Sequence, residues 1–303
     1  MSHSTTAREV DRAALLRLQQ RQALDAEPPW LHGEVARRMA ERLPIMKLVP
    51  SVVIDWWSRS GASAELLRAA YPKAQQLRVE PAAVLQRPKA TAPWWSAQRW
   101  RGSDPVADSA VPESQAQLLW ANMMLHAVAD PGALLAQWRR ALSMDGFVMF
   151  STLGPDTLKS LRETYREAGW GSAHAPFVDM HDLGDMLVRA GFADPVMDQE
   201  MLRLTWATPA ALLAELRGLG INADPARCAG LRTPRWRARL EAALAERAQQ
   251  QKGADGRIAL EFEIVYGHAF NPPPRVAVAG ETRLSAADLQ RMARTGRYGA
   301  SLG

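Results

Sequence analysis

Val52-Val53-Ile54-Asp55 has the composition of a short buried strand that ends in an acid. A tight loop through Gly61 then leads into a helix-forming stretch, Ala62 to Ala70. Strand, loop and helix at this scale form the unit at which doubly wound α/β sheets bind nucleotide-like ligands. The loop of such a unit ordinarily carries glycines, because the chain turns sharply and the ligand touches its backbone. Here Gly61 remains, while Trp56, Trp57 and Arg59 stand where small residues are expected. The stretch therefore predicts a nucleotide-type sheet edge whose ligand site is altered.

The rest of the chain repeats the unit. Arg8–Gln22 and Trp30–Leu43 read as helices, the second with Leu31, Val35, Met39 and Leu43 on one face. Gln76–Val79 reads as a second strand and ends in Glu80, an acid about twenty residues past the loop, where ribose hydroxyls are gripped in such folds. Proline punctuates residues 81–114, the least legible part. Gln117–Ala121 and Phe147–Phe150 read as further strands, with Pro131–Leu142 as the helix between them and Asp145-Gly146 as a turn. Thr157–Ala168 and Asp179–Ala190 are helical, and Pro195–Leu204 is strand-like. Two arginine-bearing helical segments follow, Pro209–Leu219 and Pro234–Gln250. In the final strand, Ile258–Phe270, the residues Leu260, Phe262, Ile264 and Tyr266 alternate with Glu261, Glu263 and Val265. Alternating strands and helices predict a mostly parallel, doubly wound α/β sheet. The last strand is expected to run antiparallel, because it is reached through an inserted helical pair. The organisation expected is N-terminal helices over 1–50, an α/β domain over 51–271 with a helical insertion at about 207–257, and a tail over 272–303.

Composition narrows the setting. The one cysteine, Cys228, excludes an internal disulfide and suits a reducing compartment. No apolar run approaches the ~20 residues that span a bilayer, and the polar N-terminus does not read as a secretory signal, so a cytoplasmic protein with no membrane contact is expected. The net charge of +5 permits an anionic substrate, an acidic protein or nucleic acid. Trp94, Trp95 and Trp100 among arginines could stack bases; packing beside cationic neighbours is the stronger reading, and nucleic acid is not expected. The six histidines show no metal-ligand spacing, and no metal is expected.

Several motifs carry a family resemblance. Val52 to Gly61, Glu80, Leu118 to Asp130 and the strand at Phe147 are similar to the Rossmann-like fold of class I S-adenosylmethionine-dependent methyltransferases. Phe150–Glu163 (FSTLGPDTLKSLRE), Phe177–Glu200 (FVDMHDLGDMLVRAGFADPVMDQE) and Glu261–Phe270 (EFEIVYGHAF) resemble more narrowly the malonyl-acyl carrier protein O-methyltransferases of biotin synthesis. The resemblance spans roughly residues 30–274.

The resemblance implies S-adenosylmethionine as cofactor. In the family the loop reads approximately L-D-L-G-C-G-T-G, so Asp55 and Gly61 match, and Trp57 and Arg59 replace two glycines. Glu80 matches the ribose-binding acid. Asp108 is the weakest of the set, as the acid beside the adenine amino group, because the spacing there is short. Asn122, His126 and Asp130 fall in the loop beside the methionine end of the cofactor. The reaction implied is methyl transfer to the free carboxyl of malonyl-acyl carrier protein. A carboxylate is already ionised at neutral pH, so no general base is required and no catalytic base is assigned. Arg162 and Arg189 lie near elements where a guanidinium could hold the malonyl carboxylate, although surface pairing suits them better. The arginine-rich insertion suits an acidic acyl carrier protein or acyl-thioester partner. The two lost glycines carry a second expectation: a methyltransferase fold that no longer catalyses and serves as a binding or assembly factor.

Overall fold

The computed structural model of the chain describes residues 8–22, 27–85, 104–220, 222–228, 230, 232–250 and 256–274. The chain divides into two units, Met1–Pro272 and Pro273–Gly303, and the fold described is that of the first. The tryptophans at 94, 95 and 100 and all but the first residues of the tail expected over 272–303 lie outside the described residues.

The strands are β1 (Val52–Trp56), β2 (Gln75–Glu80), β3 (Val106–Ala107), β4 (Ala116–Ala121), β5 (Leu142–Leu153), β6 (Ala193–Trp206) and β7 (Ile258–Phe270). Among the described residues they form one seven-stranded sheet in the order β3-β2-β1-β4-β5-β7-β6. The first five pair in parallel, and β7 lies antiparallel between β5 and β6. The helices are α1 (Arg12–Gln22), α2 (Trp30–Ala40), α3 (Ser58–Gly61), α4 (Ala64–Ala70), α5 (Ala82–Leu85), α6 (Pro131–Ala141), α7 (Lys159–Glu167), α8 (Met180–Arg189), α9 (Pro209–Leu219) and α10 (Pro234–Gln250). The doubly wound architecture and the antiparallel last strand are as expected. The helical insertion, α9 and α10, connects β6 to β7.

Both faces of the central strands β1, β4 and the second half of β5 are buried, so these read as continuous apolar runs, broken in β1 by Asp55. Successive residues serve opposite cores. Val53, Leu118, Trp120, Phe147 and Met149 face one cluster, with Leu31, Val35 and Met39 of α2. Ile54, Trp56, Leu119, Ala121, Val148 and Phe150 face the other, with Leu135 and Trp138 of α6 and Leu183 and Leu187 of α8. Caps fix the helix starts: Asp130 accepts from the Ala133 N–H ahead of α6, Asp179 from the His181 N–H ahead of α8, and Thr208 from the Ala211 N–H ahead of α9.

Some local readings change. The strand expected at Phe147–Phe150 runs from Leu142 to Leu153, and its pairing with β4 shifts register between Leu142 and Phe147, where the turn expected at Asp145-Gly146 falls. Asp145 takes a left-handed φ of 60°, and its N–H donates to the Asn271 carbonyl at 2.9 Å. Glu263 does not face water in β7. It is 5% exposed, and its carboxylate accepts from the Asp156 N–H at 2.7 Å, fastening the loop after β5.

Gly267 of β7 pairs with Phe150 of β5, and a Cβ at position 267 would lie 2.5 Å from the Phe150 ring. Phe150 is fully buried, with its centroid 6.1 Å from that of Trp138, so the ring has no free direction. Gly267→Ala is expected to cost about 1–3 kcal/mol, and Phe150→Leu in the same chain to recover part of that loss. Urea denaturation measures both; an unchanged midpoint for Gly267→Ala would show that the ring can move aside.

Candidate active site

The residues singled out in the sequence assemble along the carboxyl ends of β1, β2, β3 and β4. Asp55 closes on Ser58, whose hydroxyl donates to its carboxylate at 2.7 Å. Burial, with the charge of Glu80 adding to it, pushes the Asp55 pKa up to about 7. Glu80 is 7% exposed and accepts from the Arg59 N–H at 2.8 Å. Its pKa is also raised, first by burial. Asp108 follows β3 and accepts from the Ala82 N–H at 3.2 Å, just beyond the end of β2.

Asn122 follows β4 and is fully buried. Its amide donates to the Gly61 carbonyl at 2.6 Å and to the His32 carbonyl at 2.8 Å, and its oxygen accepts from the Ser151 hydroxyl at 2.7 Å. One amide thus ties the loop after β1 to α2 and β5. His32 adds a second tie through Nδ1, 2.7 Å from the Ser60 carbonyl. A carbonyl can only accept, so Nδ1 carries the hydrogen. Burial holds the His32 pKa down to about 4, so the ring is neutral.

The loop itself is the short helix α3, entered through Trp57 at φ 54° and ψ 47°. That is the left-handed region a glycine adopts freely. A bulky L residue there costs about 1–2 kcal/mol. The backbone has kept a glycine-type turn and placed an indole on it. Trp57 is 7% exposed, packs in one apolar cluster with Leu18 of α1, and its Nε1 has no hydrogen-bond partner. Between Trp57, Arg59, Glu80 and Pro81, beneath Gln19 and Gln22 of α1, there remains a cavity of about 20 Å³. That is room for about one water molecule, whereas small-molecule pockets run to about 300 Å³ or more. In this conformation the residues at the edge do not fit S-adenosylmethionine: Trp57 occupies the space, and Glu80 is engaged by the loop.

A much larger chamber, about 440 Å³, lies across α1. Leu15 and Leu18 of α1 line it, as do Leu153 of β5, Phe262 of β7, Tyr165 of α7, Leu216 of α9 and Leu240 of α10. Arg8, Arg217, Arg232 and Arg237 also line it, and His126 reaches it from the loop after β4. Arg8 donates to the carbonyls of His126 and Pro176, both at 2.5 Å, strapping the N-terminal segment across the chamber. Arg232 lies 4.3 Å over the Trp236 ring and donates to the Tyr165 hydroxyl at 3.0 Å. The loop after β4 was legible as a site element. Tyr165, Trp236 and Arg232 were not, because α7 supplies the first and the stretch entering α10 the other two, and neither segment carries a local signature. Of the two candidate carboxylate-holding arginines, Arg162 donates to the Pro155 carbonyl at 2.7 Å, and neither it nor Arg189 lines the chamber.

A family model described as a methyltransferase domain matches residues 30–194. The malonyl-[acyl-carrier protein] O-methyltransferase of Laribacter hongkongensis is 38% identical over 254 residues, covering 81% of this chain and 84% of that protein. The enzyme of the same name from Gallionella capsiferriformans is 39% identical over 256 residues, covering 81% and 86%. Among solved structures, protein BH2331 of Bacillus halodurans superposes with a TM-score of 0.52 at 13% identity, covering 78% of this chain and 100% of that one, which speaks for the fold. With the sheet order, the edge residues and this likeness in agreement, the chain belongs to the S-adenosylmethionine-dependent methyltransferase family, in the branch of the malonyl-[acyl-carrier protein] O-methyltransferases.

Proposed function

We propose that this protein methyl-esterifies the free carboxyl of a malonyl group carried as a thioester on acyl carrier protein. The observation that carries the reading is the 440 Å³ apolar chamber with arginines in its lining, set against the loop after β4. An acyl-thioester arm needs a deep apolar channel with few polar groups, and an acidic carrier needs a basic surface beside its mouth. On α10, Arg235 and Arg239 are exposed, and Arg237 pairs with Glu241 at 2.8 Å. The insertion over about 207–257 would then serve as the acceptor cap of the α/β domain, and Asp55, Gly61, Glu80, Asp108 and Asn122 as the edge facing the methyl donor. Among the described residues no helix is long and apolar enough to cross a membrane, which accords with a reaction in the cytoplasm.

The chemistry asks little of the side chains. The malonyl carboxylate is ionised at neutral pH, so the chain must orient it and shed its water rather than remove a proton. A neutral His126 suits that task. Its pKa is held down to about 3, first by burial and then by the charges of His32 and Arg8. An uncharged ring beside the chamber does not lock the carboxylate into an ion pair that would blunt it as a nucleophile.

The test is incubation of the purified protein with malonyl-acyl carrier protein and methyl-labelled S-adenosylmethionine. A base-labile label on the malonyl carrier, absent from an acetyl carrier without a free carboxyl, is the expected result. The filled cofactor edge favours a second reading, carrier binding without transfer. Tight carrier binding with no label transferred, even in a protein shown to bind the cofactor, would select that second reading and remove the first.

A further inference from the structure

We infer that the Trp57 indole is a built-in occupant of the methyl-donor cleft, and that it, rather than loss of the cofactor's other contacts, sets how weakly this chain takes S-adenosylmethionine. The remaining edge is assembled. Asp55 is the penultimate residue of β1, Glu80 ends β2, and Asn122 holds the turn at Gly61. The turn has kept the left-handed residue that a glycine loop requires, at φ 54°. What differs is the side chain on it, nine-tenths buried, with about 20 Å³ left between it and Glu80. The indole belongs to the same apolar cluster as Leu18, while Gln19 and Gln22 of the same helix line the residual cavity. Helix α1 thus lines both cavities, the small one through Gln19 and Gln22 and the 440 Å³ chamber through Leu15 and Leu18.

The inference concerns access of the donor and goes beyond the acceptor assigned above. With the indole seated, the apparent affinity for S-adenosylmethionine is the intrinsic affinity reduced by the fraction of molecules in which it has swung out. Removing the indole raises that fraction to near one. Because the φ suits glycine, Trp57→Gly also relieves the turn, which works against the packing the variant loses.

Isothermal titration with S-adenosylmethionine, and with S-adenosylhomocysteine as a second probe, is the experiment, on the full chain and on Trp57→Gly and Trp57→Ala. Urea denaturation confirms that each variant is folded. The expected result is a gain in affinity of at least about tenfold for both variants over the parent. Trp57→Ala removes the indole while keeping an L side chain, so a gain shared by both belongs to the vacated space and not to a loosened backbone. Equal affinities for parent and variants would overturn the inference, and so would no binding in any of the three proteins. The acceptor assignment is read separately: a variant that gains the cofactor but labels no malonyl carrier leaves the indole's role standing and removes the acceptor.

Discussion

Asn122→Ala unfolds at a lower urea concentration than the parent, with a loss of about 1.5–4 kcal/mol. The side chain is fully buried and makes three hydrogen bonds to partners from three elements. Alanine leaves the carbonyls of Gly61 and His32 without that donor. The Gly61 carbonyl still receives the Ser63 hydroxyl at 3.0 Å, and the His32 carbonyl lies within α2, so the loss is that of buried hydrogen bonds at about 0.5–1.5 kcal/mol each. Ser151 loses its acceptor as well, although its oxygen still receives the Met123 N–H at 3.0 Å. Asn122→Asp is expected to be no milder, since it points a second oxygen at two carbonyl oxygens. The measurement is equilibrium denaturation followed by circular dichroism. A loss for Asn122→Ala within about 0.5 kcal/mol, typical of surface changes, would show that water replaces the amide and that the residue is no latch.

Acidification is the second large effect. Stability falls from about pH 6.5 towards pH 4, at roughly 1 kcal/mol per unit. The buried rings of His32 and His126 have pKa values held down to about 4 and about 3, against about 6.5 in an unfolded chain. Between those limits the unfolded state binds protons that the native state refuses, so each ring lowers stability by up to about 1.4 kcal/mol per unit as pH falls. Asp55 works the other way. Its pKa is raised to about 7, so below that pH the native state keeps a proton that the unfolded carboxyl, near 3.9, has released. That stabilises the fold as pH drops from 7 to 4 and offsets about one histidine. His126 is only half-buried by area although its Nδ1 is enclosed, which trims its share. Urea midpoints at half-unit steps from pH 4.5 to 7.5 give the slope. Asp55→Asn should steepen it and His32→Gln should flatten it. A parent midpoint that rises on acidification would mean the rings are protonated in the folded state.

The alternating pattern carried most of the architecture because both faces of the central strands are buried. Each central strand had to be largely apolar, and each connection an amphipathic helix or a breaker. Pro209–Leu219, Pro234–Gln250 and Ile258–Phe270 end where the sequence places them, since a proline at the start of each helix and a threonine cap ahead of α9 mark those limits locally. The stretch after Glu80 resisted because β3 is two residues long, too short for any period to register. The role of Glu263 was hidden for a different reason. Its spacing is that of an outward residue, and only the loop carrying Asp156 turns that position into a buried anchor.

The ordered run of β1, its glycine-type turn and the acids at 55 and 80 were set by sequence alone, because hydrophobic period and backbone chirality act on neighbours along the chain. The sequence also showed that an indole stands where a ligand would need backbone. Which space that indole fills, and where a chamber remains, were decided by residues far apart: Leu18 against Trp57, Asn122 on Gly61, and the helices of the insertion against β5 and β7. Volume is a property of what packs across a gap, and no local pattern encodes it.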